Sequence, residues 1–150
     1  CLSGGRSSKA NEKIQSLGFK NVYELDGGIL EWRKNKLPEA LLNNNYENSL
    51  TVDDFNVFIE TEKIVLVDYY ANWCAPCKIM EPYLDEISNE YSENLNLVRI
   101  NYDDNLPLVR SLEVYGLPVL QIYKDKNLLW SHVGFIKKSS VEKEIKKYIN

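Results

Sequence analysis

Cys74 and Cys77 are the side chains of this chain best suited to chemistry, two thiols three positions apart in Trp73-Cys74-Ala75-Pro76-Cys77. A Cys-x-x-Cys pair amid alternating strands and helices serves either redox exchange or a metal. The run Ile64-Val65-Leu66-Val67-Asp68-Tyr69-Tyr70 before it reads as a strand buried on both faces. After it, Ile79, Met80, Tyr83, Leu84, Ile87 and Tyr91 mark one face of a long amphipathic helix, with Pro82 inside it as an expected kink. The first sulfur is therefore expected beside the unpaired N–H groups and the positive dipole end of that helix, where a thiolate is favoured. Lowering a thiol pKa from ~8.5 toward ~7 raises its attacking fraction at neutral pH, and a second thiol one turn on can close a small ring with the first. Such a pair is a dithiol switch. A zinc site would need two further ligands, and Cys1 and His132, the remaining cysteine and histidine, lie too far away in sequence for a zinc motif. No metal is expected.

Asp68 is the second candidate, since a carboxylate inside an apolar strand has its proton affinity raised by desolvation and can then shuttle a proton. The plainer alternative is a satisfied buried acid with no role. His132 is expected on the surface of the last strand, without a catalytic part. Tyr69, Tyr70, Tyr83 and Tyr91 are expected to fill the core or its margin. Lys143, Lys146 and Lys147 read as a solvated face near a helix C-terminus.

The elements that position these residues follow from periodicity and turn chemistry. Ala10, Ile14 and Leu17 before Gly18 predict a helix over Ser8–Leu17, and Val22–Leu25 a short strand. Gly27-Gly28 turns the chain into one or two helical turns carrying Ile29, Leu30 and Trp32 and ending near Lys36 and Pro38. Glu39 to Asn45, with its Asn triplet, has no regular period and predicts a linker over 39–46. Thr51 and Asp54 resemble a capping box ahead of Phe55, Phe58 and Ile59, with a further short strand expected near Ser49-Leu50. Leu97–Tyr102 reads as the next buried strand and Pro107–Leu112 as a short helix. Val119–Tyr123 and Leu128–Val133 read as a hairpin, and Ser139 with Glu142 as the cap of a final helix.

Residues 47–150 resemble a complete thioredoxin. The likeness rests on Val65-Leu66-Val67-Asp68, Trp73-Cys74-x-Pro76-Cys77-Lys78, Pro82, Asn101-Tyr102-Asp103, Gly116-Leu117-Pro118-Val119 and Gly134. It implies an α/β thioredoxin fold, with a central mixed sheet of four or five strands flanked by helices. It also implies a protein-disulfide oxidoreductase in which Cys74 attacks a substrate disulfide and Cys77 resolves the mixed disulfide. By the same resemblance Pro76 belongs to the catalytic motif and Asp68 helps deprotonate the resolving cysteine. Pro118 would follow a cis bond after Leu117, a geometry that costs little only before proline. Trp73, Ala75, Gly116, Leu117, Pro118 and Gly134 would line the substrate surface. Two positions depart from the commonest family pattern: Ala75 stands in place of a glycine, and Arg99 where many members have a lysine. Arginine keeps its charge where lysine can lose it.

Residues 1–38 resemble the C-terminal part of a rhodanese-like domain, a family that transfers sulfane sulfur. The match lies in Cys1-Leu2-Ser3-Gly4-Gly5-Arg6-Ser7 and in Gly18-Phe19-x-Asn21-Val22-Tyr23-x-Leu25-x-Gly27-Gly28-Ile29-x-x-Trp32. Cys1, Gly4 and Arg6 would belong to its catalytic loop, whose N–H groups form an anion cradle. The earlier strands of such a domain do not precede this stretch, so the segment is expected to be inactive as a sulfurtransferase. Residue 1 is not methionine, so the sequence is expected to begin inside a rhodanese–thioredoxin fusion.

Composition sets the remaining bounds. The 150 residues, 44% hydrophobic and 27% charged, suit one domain and a fragment of a second. Residues 1–46 hold 7 basic and 5 acidic side chains, whereas 47–150 hold 11 and 17, so the two parts differ in kind. A net charge of −4 argues against nucleic acid, and no stretch approaches the ~20 apolar residues of a membrane span. The resemblance implies no cofactor beyond the redox-active disulfide itself. Expected partners are disulfide-bonded or persulfidated substrate proteins and a reductase as electron donor, with self-association through the N-terminal segment. Thiol–disulfide exchange is weighed against sulfur transfer and against a redox-inactive binding module. The compartment stays open, the cytoplasm being favoured over the periplasm or another exported location.

Overall fold

The structure is a computed structural model, and it describes residues 1–38, 46 and 48–149. The chain divides into two compact units, Cys1–Asn44 and Asn45–Asn150. Apart from Tyr46, the linker expected over 39–46 lies outside the described residues.

The first unit holds α1 (Gly5–Ser16) and α2 (Gly28–Lys34). The first helix starts three residues earlier than its periodicity suggests. Gly4, at φ 90°, turns the chain, and its carbonyl accepts from the Ser8 N–H (2.9 Å) and from the Ser7 and Ser8 hydroxyls (2.8 and 3.1 Å). The strand expected at Val22–Leu25 does not form, because the described part of this unit offers no second strand to complete a ladder. Glu24 instead accepts from Ser8 Oγ (2.8 Å) and Asn11 Nδ2 (3.3 Å). Gly28 is required as glycine: at φ +64° a Cβ would lie 2.5 Å from the Leu2 carbonyl and 2.6 Å from that of Cys1. Those carbonyls accept from Leu30 N (3.0 Å) and Ile29 N (3.1 Å), holding the Cys1 loop around the start of α2.

The second unit runs α3 (Val52–Ile59), β1 (Ile64–Tyr70), α4 (Ala75–Glu90), β2 (Leu95–Asn101), α5 (Leu106–Ser111), β3 (Val119–Lys124), β4 (Asn127–Val133) and α6 (Lys138–Ile145). The Thr51–Asp54 capping box forms, with Asp54 N donating to Thr51 Oγ1 at 3.1 Å and Thr51 N to Asp54 Oδ2 at 2.8 Å. The four strands lie in the order β2-β1-β3-β4, with β1 and β2 parallel and the other pairs antiparallel. Ile64↔Leu95 through Tyr70↔Asn101 sets the ends of β2, which start and stop earlier than its apolar run suggests. No strand forms at Ser49-Leu50; the Leu50 N–H is taken by the buried Asn105 side chain (2.8 Å). The final helix begins at Lys138 with Lys137 as N-cap and no side-chain cap, so the box expected from Ser139 and Glu142 is absent.

Strand alternation divides the core in two. Val65, Val67 and Tyr69 face a cluster with Phe55, Ile100, Leu108, Val109, Cys74 and Cys77. Ile64 and Leu66 face Met80, Leu84 and Ile87 of α4 and Val141 and Ile145 of α6. Each large side chain so buried contributes about 1.5–3 kcal/mol relative to exposure.

Candidate active site

The turn after β1 and the start of α4 place the dithiol at the end of the sheet where Tyr69 pairs with Val119 and Val119 with Val133. The Leu117-Pro118 bond, Gly134 and Cys74 are brought to this one end by that register. Cys74 is the N-cap of α4 and adopts extended backbone, φ −79° and ψ 97°. Its Sγ accepts from the Cys77 N–H at 3.3 Å, so a helix-terminal donor already faces the sulfur. Pro76 stands in the first turn, where its missing N–H leaves no helical bond unmade. Cys74 and Cys77 form a disulfide with Cα atoms 5.3 Å apart, and both are nearly buried, at 3% and 2% exposure. On reduction the positive end of α4 favours the Cys74 thiolate over the thiol. Pro82 lies within α4, which continues through it to Glu90. The cost there is the absent N–H that would have met the Lys78 carbonyl.

Trp73 is 67% exposed, and its indole N–H donates to Asp103 Oδ2 at 2.7 Å, which pins the ring at the rim. Leu117-Pro118 is a cis peptide, and the Pro118 carbonyl accepts from Gly134 N at 2.8 Å. Gly134 has φ +100° and open space where a Cβ would be, so backbone conformation rather than crowding favours glycine there. Ala75 is exposed, while Pro76, Gly116 and Leu117 are half-buried. Neither of two cavities of about 290 Å³ lies at the dithiol: one is lined by Lys63, Glu93 and Lys124, the other by Cys1, Asn11 and Tyr23 in the first unit.

Asp68 falls on the α4 side of β1 and is 1% exposed. Arg99, its register partner on β2, donates from Nε to Asp68 Oδ2 at 3.1 Å. Burial pushes the Asp68 carboxyl up to about 6, with the Arg99 charge and hydrogen bond opposing and Glu81 and Asp85 adding to the rise. Arg99 also donates from Nη1 to Glu81 Oε1 at 2.5 Å and lies over the Tyr70 ring, 4.5 Å from its centroid. Sequence reasoning missed Glu81 and Asp103. The signal for Glu81 is faint, a helix position four after Cys77, and Asp103 enters the sequence reading only within the Asn101-Tyr102-Asp103 motif, without a role at the site.

The other candidates are placed apart from this centre. Cys1 is an exposed free thiol, Gly4 is buried in the loop before α1 and Arg6 is exposed, all within the first unit. His132 is half-buried and stacks on Trp130 with centroids 5.8 Å apart. Among the described residues, no group of three or more His, Cys, Asp or Glu side chains is placed to hold a metal ion, and no helix is long and apolar enough to cross a membrane.

Comparison with known proteins bears on the second unit. The thioredoxin family profile matches residues 47–147. A thioredoxin of Porphyra purpurea is 35% identical over 92 residues, covering 61% of this chain and 86% of its own length. One of Pseudomonas aeruginosa is 40% identical over 77 residues, 51% of this chain and 71% of that protein. Among solved structures, the N21Q mutant thioredoxin from Halobacterium salinarum NRC-1 superposes with a TM-score of 0.63 at 24% identity, covering 68% of this chain and 88% of that one, a likeness of fold.

Proposed function

We propose, from the premise that this chain belongs to the thioredoxin family, that it reduces protein disulfides through the Cys-Ala-Pro-Cys dithiol of Cys74 and Cys77. Family membership makes it a thiol–disulfide oxidoreductase of thioredoxin type, acting on disulfide substrates with a reductase as electron donor and needing no cofactor besides its own dithiol. The observation that carries the finer reading is the Cys74–Cys77 disulfide at the N-terminus of α4, where Cys74 is both N-cap and acceptor of the Cys77 N–H.

Cys74 thiolate attacks a substrate sulfur, one substrate thiolate leaves, and a mixed disulfide remains. Cys77 then attacks Cys74 Sγ and releases the second substrate thiol. Asp68 accepts the Cys77 proton, a role supported by its burial and its raised proton affinity. Pro76 shapes the turn between the cysteines. Trp73, Ala75, Gly116, Leu117, Pro118 and Gly134 form the docking surface for extended substrate backbone, a reading supported by the exposed indole and by the Gly134–Pro118 hydrogen bond.

Replacement Cys74→Ser is expected to abolish reduction of a disulfide-bonded reporter peptide. Persistent exchange in that variant overturns the assignment of Cys74, and persistent peptide binding without exchange in the unmodified protein favours a passive binding module. Redox titration followed by Trp73 fluorescence gives the direction of flow: a midpoint near about −270 mV marks a reductant, one near about −120 mV an oxidant.

The sequence resemblance of residues 1–38 supports a second element of the proposal, that they are the C-terminal part of a rhodanese-like domain joined through 39–46 to the thioredoxin domain of 47–150. The Cys1 loop held around Gly28 suits such a loop. Persulfidated proteins are then a second substrate class. Release of sulfide from a persulfidated peptide by the dithiol, lost in Cys74→Ser, is the expected result; no release removes that class.

A further inference from the structure

The buried acid beneath α4 does not have its arginine to itself. Asp68 Oδ2 accepts from Arg99 Nε at 3.1 Å, while Asp68 Oδ1, equally buried, has no hydrogen-bond partner. A guanidinium facing one carboxylate ordinarily offers two parallel donors. Here only Nε meets Asp68: the guanidinium is turned so that Nη1 donates to Glu81 Oε1 at 2.5 Å, and the Tyr70 ring lies under the guanidinium carbon at 4.5 Å. Arg99 is 23% exposed, Glu81 47% and Asp68 1%, so the bridge runs from solvent edge to core.

We propose that Glu81 is a positioning residue for the Cys77 step: by holding Arg99 Nη1 it fixes the guanidinium in the orientation that gives Asp68 a single contact, and so leaves the buried Asp68 Oδ1 without a donor and able to take the proton. The inference rests on the reading above that Asp68 serves Cys77. In the mixed disulfide, the Cys77 S–H passes its proton to Asp68 Oδ1, and the thiolate electron pair forms the Cys77–Cys74 bond. The bond between Cys74 and the substrate sulfur breaks, its electron pair leaves on that sulfur, and the sulfur takes a proton from solvent. Asp68 returns its proton to water. Over the whole cycle the substrate disulfide gains two electrons and two protons, and the dithiol loses them.

The groups that face Asp68 are Arg99 from β2 and Glu81, Tyr83 and Asp85 from α4; its partner on β3, Leu120, carries no charge. Tyr83 spends its hydroxyl proton on the Ile136 carbonyl. Arg99 is thus the one cation of the set, and Glu81 divides its donors between two acids.

The test measures two quantities on the full chain. One is the midpoint of the Asp68 carboxyl by carbon NMR of the reduced protein, and the other is the pH profile for reduction of a disulfide-bonded peptide. Glu81→Ala lets the guanidinium turn its parallel Nε and Nη2 donors onto both Asp68 oxygens, so both the midpoint and the acid limb of the profile are expected to move down by about half a pH unit or more, about threefold in rate on that limb. Glu81→Gln keeps an acceptor for Nη1 without the charge and is expected to move both by less. In an Asp68→Asn background, Glu81→Ala is expected to leave the profile where that background puts it. An unmoved midpoint in Glu81→Ala overturns the positioning role. Equal shifts in the Ala and Gln variants also overturn it, since Glu81 would then act as a charge alone. A midpoint that moves while the profile stays still overturns the reading of Asp68 as the Cys77 base, and this role of Glu81 with it.

Discussion

An ionised Asp68 sits in an apolar strand with one oxygen on Arg99 and the other unpaired, so its charge is only half compensated. Desolvation raises its proton affinity from the ordinary 3.8 to about 6. Between those values the folded chain binds more proton than the unfolded one, so stability falls as pH rises through that window and stays lower above it. Asp68→Asn keeps an acceptor for Arg99 and removes the charge. It is therefore expected to match the parent below about pH 4 and to exceed it by up to about 3 kcal/mol above pH 6, while slowing exchange. Urea denaturation across that range checks the sign, and a variant no more stable at pH 7 than its parent would show that Arg99 compensates the charge in full. Tyr69 presents a smaller version of the same problem: its hydroxyl is fully buried beside that of Tyr123, whose own proton goes to Gln121.

Two elements show how backbone conformation serves the site and the sheet that carries it. At the start of α4, a cysteine N-cap and a proline in the first turn give the helix its boundary and leave the Cys77 N–H directed at Cys74 Sγ. At the β3–β4 hairpin, Asp125 and Lys126 hold φ 48° and 66°, left-handed values that cost a residue bearing a Cβ. The pair Asp125→Asn and Lys126→Gly suits that turn better. It sacrifices only the exposed Lys126–Glu60 ion pair, and the Lys126 N–H that donates to the Ile59 carbonyl remains in a glycine. A gain of about 1 kcal/mol is expected, read as a raised urea midpoint with unchanged slope. A loss would mean that the ion pair outweighs the strain.

The two units differ in what they bury. The second has two apolar clusters, one on each face of its sheet. In the described part of the first, only Gly4 and Gly28 are buried, and Phe19, Tyr23 and Leu17 are 63%, 89% and 64% exposed. Helices shorter than about 12–15 residues are marginal in water without packing, and α1 has 12 residues with none buried. Hydrogen exchange is therefore expected to be fast across α1 and α2 and slowest in β1 and β3, whose amides open only with the second unit as a whole. Comparable protection in α1 would show that it is covered by something beyond its own unit.

Local signals were enough for much of this protein. The apolar run 64–70, the Thr51–Asp54 box, the hairpin and the cysteine pair between strand and helix each depend on neighbours within a few residues, and periodicity reads those directly. Where the sequence misled, Val22–Leu25 has strand composition but, among the described residues of its unit, no second strand to pair with, and Ser139 with Glu142 has the spacing of a cap inside a helix that starts earlier. Asp68 could be identified as a buried acid from its strand. That Arg99 would meet it, that Glu81 would hold the other end of that arginine, and that Asp103 would pin Trp73 depended on strand register and helix placement, because a single shifted residue would send each of those side chains to another face.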